Sequence, residues 1–132
     1  MLQRIESILS SLGFETQTHL HHLPVQDVVR IGNIRGLEFF LKSDQLYLQH
    51  CNEVPGPENL YDSFIETHRQ FTSILGLPQI DISETKFKST SRTRLALDLD
   101  ETNPNFERII SSIAFTSEVV INRLNVRETI AQ

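Results

Sequence analysis

The stretch "LALDLDETNPN", Leu95 to Asn105, decides the fold. Leu95, Leu97 and Leu99 alternate with Ala96, Asp98 and Asp100. As a strand, it puts the leucines on one face and both carboxylates on the other. Asn103-Pro104 follows, a capping residue type and then a residue suited to a first helical turn. Two readings compete. The paired carboxylates could be a nucleophile and its acid/base partner in a parallel α/β enzyme. Alternatively, the stretch is a half-buried strand running into a closing helix, with its acidic groups favouring the helix macrodipole.

The pattern Asp98-Leu-Asp100-Glu-Thr102 resembles the D-x-D-x-T signature of haloacid-dehalogenase-type phosphatases. That chemistry also needs a cation to clamp the phosphoryl group, a hydroxyl donor and further metal-binding acids. In the phosphatases these come from later strands of a parallel sheet. Only about 30 residues follow Thr102, and they read as one helix. No further strand can be built from them, so the strand-to-helix reading is preferred.

Length and composition agree with one globular domain spanning 1–132. The chain has 132 residues, 39% hydrophobic and 22% charged, outside the disordered range. The formal charge of −5, from 12 basic and 17 acidic residues, argues against a general binder of nucleic-acid backbone. A single cysteine, Cys51, cannot form an internal disulfide and fits a reducing compartment. The N-terminal stretch carries Arg4 and Glu6 within its apolar pattern, unlike a signal peptide, and no run approaches the ~20 apolar residues of a membrane span. A cytoplasmic location without a membrane partner is expected.

The element order follows from periodicity. Leu2, Ile5, Ile8, Leu9 and Leu12 recur at helical spacing before Gly13, which predicts a helix over 2–12 with a glycine cap. Residues 14–26 are mixed and read as loop or edge structure. Val29 and Ile31 suggest a strand near 27–34. "GLEFFLKSDQLYLQHC" (36–51) reads as a hairpin turning at Ser43-Asp44, with Leu37, Phe39 and Leu41 on one face and Glu38, Phe40 and Lys42 on the other. Pro57 suits the first turn of a helix marked by Leu60, Tyr61, Phe64, Ile65, His68, Phe71 and Leu75 and ended by Gly76 and Pro78. Ile80 and Ile82 start a strand, and Leu95, Leu97 and Leu99 define another. Phe106, Ile109, Ile110, Ile113, Val120 and Leu124 mark the last helix, with Phe115, Val119 and Ile121 widening its stripe. The expected class is α+β, an antiparallel sheet flanked by helices in the order α-β-β-β-α-β-β-α.

Other chemistry-bearing residues carry weaker signals. His19, His21 and His22, with His50 and Cys51, are metal-type ligands, but no paired C-x-x-C or H-E-x-x-H spacing accompanies them, which favours solvated histidines. Cys51 in an apolar strand reads as a small buried hydrophobe rather than a nucleophile. His68 lies on the apolar face of the middle helix, as a packed or interface residue. Lys86, Lys88, Arg92 and Arg94 make a local basic patch around Phe87, without the aromatic pair or glycine-rich loop of a nucleic-acid site. No catalytic residue, metal or cofactor is expected. The wide apolar stripes, and the two-faced pair Phe39 and Phe40, point instead to a protein partner.

The element order resembles that of class I type III secretion chaperones of the Tir-chaperone type. "LYLQHC" (46–51) resembles the family's apolar third strand, and "LALDLDETNPNFERIISSIAFTSEVVINRL" (95–124) resembles its closing strand, acidic turn and helix, with Phe106, Phe115 and Leu124 at matching spacing. YbjN-like regulators share much of this architecture. The resemblance implies a non-enzymatic homodimer that holds an unfolded segment of a secreted effector before export. The alternative is a dimeric regulatory or scaffold domain of YbjN or roadblock type. On the chaperone reading, Ile5, Leu9, Leu12, Phe39 and Phe40 line the partner groove. Phe64, His68, Phe71, Leu95, Leu97 and Leu99 are candidates for the dimer contact. Substituting Phe40 by Glu is then expected to abolish capture and leave the dimer intact.

Overall fold

A computed structural model describes residues 1–19, 28–32, 34, 37–51, 60–85 and 92–131. The elements are α1 (Leu2–Ser11), β1 (Thr16–His19), β2 (Val28–Ile31), β3 (Leu37–Lys42), β4 (Gln45–Cys51), α2 (Leu60–Leu75), β5 (Ile82–Thr85), β6 (Arg92–Leu97) and α3 (Phe106–Ala131). The strands form one antiparallel sheet in the order β1-β2-β3-β4-β6-β5. The chain is thus α+β, with one strand more than periodicity gives. The extra strand is β1, at the sheet edge, pairing Thr16 with Ile31 and His19 with Val28. Its sequence, Thr-Gln-Thr-His, has no apolar alternation to announce it.

The central hairpin follows its sequence closely. Ser43 and Asp44 both adopt left-handed backbone, with φ of 51° and 63°, as the favoured two-residue hairpin turn requires. That turn fixes the register Lys42↔Gln45, Phe40↔Tyr47, Phe39↔Leu48. Period-two alternation then sends Leu37, Phe39, Leu46, Leu48, Leu95 and Leu97 to the helix-covered face, where all are buried.

Both shorter helices end by the same device. Gly13 donates to the Ser10 carbonyl and Phe14 to that of Leu9; Gly76 donates to Ser73 and Leu77 to Thr72. Both glycines have positive φ, 89° and 66°. These are Schellman caps, each locked by a buried residue after the glycine, Phe14 or Leu77. At the third helix, the caps fall slightly later than the sequence suggests. Asp100 Oδ1 accepts from the Thr102 amide and Asn103 Oδ1 from the Asn105 amide, two successive Asx turns before α3 begins at Phe106. Asn103-Pro104 therefore forms the approach to the helix rather than its first turn.

α3 packs against both α1 and α2, while α1 lies over β1, β2 and β3 and α2 approaches β6. Tyr61 ties α2 to β5 by donating its hydroxyl to the Ile82 carbonyl at 2.9 Å. Phe106, Ile109, Ile110, Ile113 and Ala114 of α3 are fully buried between these layers.

The opposite sheet face carries a cross-strand row. Arg30, Glu38, Gln49 and Arg94 stand opposite one another on β2, β3, β4 and β6. Arg30 Nε donates to Glu38 Oε2 at 3.2 Å, Gln49 Nε2 to Glu38 Oε1 at 2.8 Å, and Arg94 Nη2 to Gln49 Oε1 at 2.9 Å. In the next row, Phe40 stacks on Tyr47 with ring centroids 5.0 Å apart, and the Arg94 guanidinium sits 4.6 Å over Phe40. Such cation–π and ring contacts contribute about 0.5–1.5 kcal/mol each. They leave Phe40 only 2% exposed, although it faces away from the helices.

The two caps give a direct test. A Cβ at Gly13 or Gly76 would meet nothing within 4 Å, so the strain of an L-residue is purely backbone. Gly13→Ala and Gly76→Ala are each expected to lower unfolding free energy by about 1 kcal/mol in urea titrations. Unchanged midpoints would show that the left-handed caps are not formed in solution.

Candidate functional site

The expected partner residues do not come together at the surface. Ile5, Leu9 and Phe39 are fully buried in the shared core, and Phe40 lies beneath Arg94 and Tyr47. Of that set only Leu12 is accessible, at 38% exposure. The expected dimer residues behave alike: Phe64, His68, Leu95, Leu97 and Leu99 are buried within the chain, and Phe71 alone is partly open. Alternation and helical spacing identify an apolar face but not what covers it, and here the chain's own layers cover it. A Phe40→Glu change would place a carboxylate in a packed site, so its expected effect is loss of stability rather than selective loss of capture.

The accessible apolar surface is elsewhere. Among the described residues the exposed large hydrophobic side chains are Leu12, Ile74, Leu75 and Phe115. All four border one open groove of about 940 Å³ between the three helices. Each helix contributes one stripe at helical spacing. α1 gives Arg4, Ser7, Ile8, Ser11 and Leu12; α2 gives Phe71, Ile74 and Leu75; α3 gives Arg108, Ser111, Ser112, Phe115 and Val119. α3 forms the floor, because it packs against both neighbours, and α1 and α2 form the walls. The small side chains of Ser7 and Ser11 on the α1 wall and Ser111 and Ser112 on the floor leave the groove open.

Arg4 and Arg108 supply the charge at the groove. Arg4 lies 3.6 Å from Glu107, donates to the Glu101 carbonyl and sits 4.8 Å over the Phe106 ring, so it fastens α1 to the start of α3. Arg108 Nη2 donates to the Leu75 carbonyl at 2.9 Å, closing the end of α2. Phe115 also packs on Phe14 beyond the α1 cap, with centroids 5.4 Å apart.

Beside the groove, the α2–α3 region is unusually polar for a core. Thr67, His68 and Thr72 on α2 and Ser112, Thr116 and Ser117 on α3 are all buried. Thr72 and Ser117 return their hydroxyl protons to the carbonyls four residues back, His68 and Ile113. Both ring nitrogens of His68, and the hydroxyls of Ser112 and Thr116, have no partner among the described residues. Burial, with a smaller contribution from the Arg69 charge, pushes the His68 pKa below its ordinary value near 6.5. The ring stacks on Phe64 at 5.9 Å, as an aromatic core residue would.

Asp98 and Asp100 are exposed at the end of β6, while Leu99 between them is buried. The Asp98 amide donates to the Asp81 carbonyl, and the Asp100 carboxylate is engaged in its turn. The strand they follow has antiparallel neighbours on both sides, whereas the phosphatase arrangement needs parallel ones. His19 lies on β1 and Cys51 ends β4, whereas His21, His22, Lys86 and Lys88 fall outside the described residues. Among the described residues no three His, Cys, Asp or Glu side chains form a metal-binding group, and no helix is long and apolar enough to cross a membrane.

Fold and site together define an α+β protein with a helix-walled apolar groove. No family model matches the chain, and neither a curated protein nor a solved structure matches it.

His68 makes the stability pH-dependent in a definite direction. Burial makes the folded state hold this proton less readily than the unfolded chain, which protonates the ring near pH 6.5. Its contribution is therefore complete above that pH and is lost as the pH falls toward the lowered native value. Urea midpoints of the wild type are expected to fall between pH 7.5 and 5 more steeply than those of His68→Leu. Parallel profiles would remove His68 as the cause.

Proposed function

We propose that this chain is a non-enzymatic protein-binding domain that holds an unfolded, apolar segment of another polypeptide in the groove between α1, α2 and α3. The observation that carries this reading is that Leu12, Ile74, Leu75 and Phe115 all border that one groove. Exposed apolar side chains scattered singly need no explanation, but a contiguous patch marks a binding surface. Ile74, 80% exposed on the wall, is a side chain that folding alone gives no reason to leave apolar. The groove suits apolar anchors from a chain without its own core, the task implied by the secretion-chaperone resemblance. On that reading the bound segment belongs to a secreted effector before export. The domain works in the cytoplasm as a homodimer, whose contact must lie outside the buried Phe64, His68, Leu95, Leu97 and Leu99 positions.

The test uses a permanently unfolded, fluorescently labelled polypeptide, reduced and carboxymethylated, beside its native disulfide-bonded form. Wild-type protein is expected to bind the unfolded form and not the native one. Ile74→Glu and Phe115→Ser, at exposed positions, should keep the fold by circular dichroism and weaken binding about tenfold or more, the equivalent of one apolar anchor. Unchanged affinity in both variants would remove the groove as the site. Equal binding of the native form would instead support a scaffold domain that recognises folded proteins.

A further inference from the structure

We infer that the groove selects segments in which a carboxylate lies beside the apolar anchors, and that Arg108 reads it. The inference rests on the protein-binding reading above and names the chemistry of the segment. The whole chain carries −5, yet the groove's charged residues are Arg4 and Arg108 against Glu107 alone. Arg4 is already committed to Glu107, the Glu101 carbonyl and the Phe106 ring. Arg108 has no carboxylate partner among the described residues. Its hydrogen bond from Nη2 to the Leu75 carbonyl uses one of five N–H donors. That bond also steers the guanidinium to the groove edge, leaving the rest of the planar fork for a carboxylate. A buried or apolar neighbour beside such a cation strengthens the pair, because the occupant excludes water from it.

Position sharpens the chemistry. Phe115 lies about 10 Å along α3 from Arg108, at a helix rise of about 1.5 Å per residue. An extended segment rises about 3.3 Å per residue, so the carboxylate falls about three positions from the anchor on Phe115. Among the groove's described residues one such cation is too few for an anionic membrane surface, which is read by clusters of basic residues.

Two synthetic peptides with the same leucine and phenylalanine anchors test this, one carrying Glu three positions from the aromatic anchor and the other Lys. By fluorescence anisotropy at low salt, the wild type is expected to prefer the Glu peptide about three- to fivefold, the range of a partly exposed ion pair. The preference should survive in Arg108→Lys, vanish in Arg108→Gln and reverse in Arg108→Glu. It should also shrink in high salt while binding persists. Equal binding of the two peptides by the wild type, or a preference that survives Arg108→Gln, overturns the inference and leaves the groove reading standing. If neither peptide binds, the groove reading fails and the inference with it. Binding to phosphatidylglycerol vesicles with no peptide binding overturns both in favour of a lipid surface.

Discussion

α3 is the constraint on which the rest of the structure depends. From Phe106 to Ile121 it buries Phe106, Ile109, Ile110, Ser112, Ile113, Ala114, Thr116, Ser117, Val120 and Ile121, which span most of its circumference. A helix buried on so many sides cannot simply lie on a sheet. It needs walls, and α1 and α2 supply them. Among the described side chains of this stretch, the sector left open runs through Glu107, Arg108, Ser111, Phe115, Glu118 and Val119. That sector is the floor of the groove, so the site is what remains when the core has been completed. Its apolar Phe115 and Val119 lie where none of the described elements covers them.

The walls are fixed by two glycines as much as by hydrophobic burial. At Gly13 and Gly76 the chain reverses out of α1 and α2, and Phe14 and Leu77 drop into the core directly afterwards. Where each helix stops decides which residues are left at the rim. Leu12 stands at the end of α1, and Ile74 and Leu75 stand at the end of α2. Arg108 then closes the α2 end by taking the Leu75 carbonyl. One contact therefore satisfies an unpaired helix carbonyl and places a cation beside the apolar surface.

Much of the fold is legible in the sequence because its elements are locally consistent. The alternation of 37–42 and 45–51, with a turn pair between them, states the hairpin and its register. Leu-Gly followed by an apolar residue announces both helix ends. The edge strand β1 is not legible, because its polar residues carry no alternation and its pairing with β2 is a tertiary fact. The site is less legible than the fold. Phe39 and Phe40 look alike in sequence, one apolar residue on each face. Phe39 meets the helices, and Phe40 is roofed by an arginine from β6, whose side chain no local pattern places there. Ile74 and Phe115 fit their helical stripes as well as any core residue does. The sequence signal that separates them is the serines that share the groove, Ser7 and Ser11 on α1 and Ser111 and Ser112 on α3, too small to close over them.

The polar seam beside the groove has a physical consequence for how the site is held. A buried hydroxyl or imidazole without a partner costs stability, about 1–3 kcal/mol for each such group. His68, Ser112 and Thr116 concentrate that cost between α2 and α3, the helices that form one wall and the floor. An all-apolar seam would hold those two helices more firmly. These polar groups, unpartnered among the described residues, therefore lie directly behind the surface proposed to receive a partner. A segment filling the groove adds apolar contacts to both helices at once, so its binding energy acts on the seam as well as on the exposed side chains. Occupancy is accordingly expected to slow amide exchange in α2 and α3 more than in β3 and β4, which have paired strands on both sides.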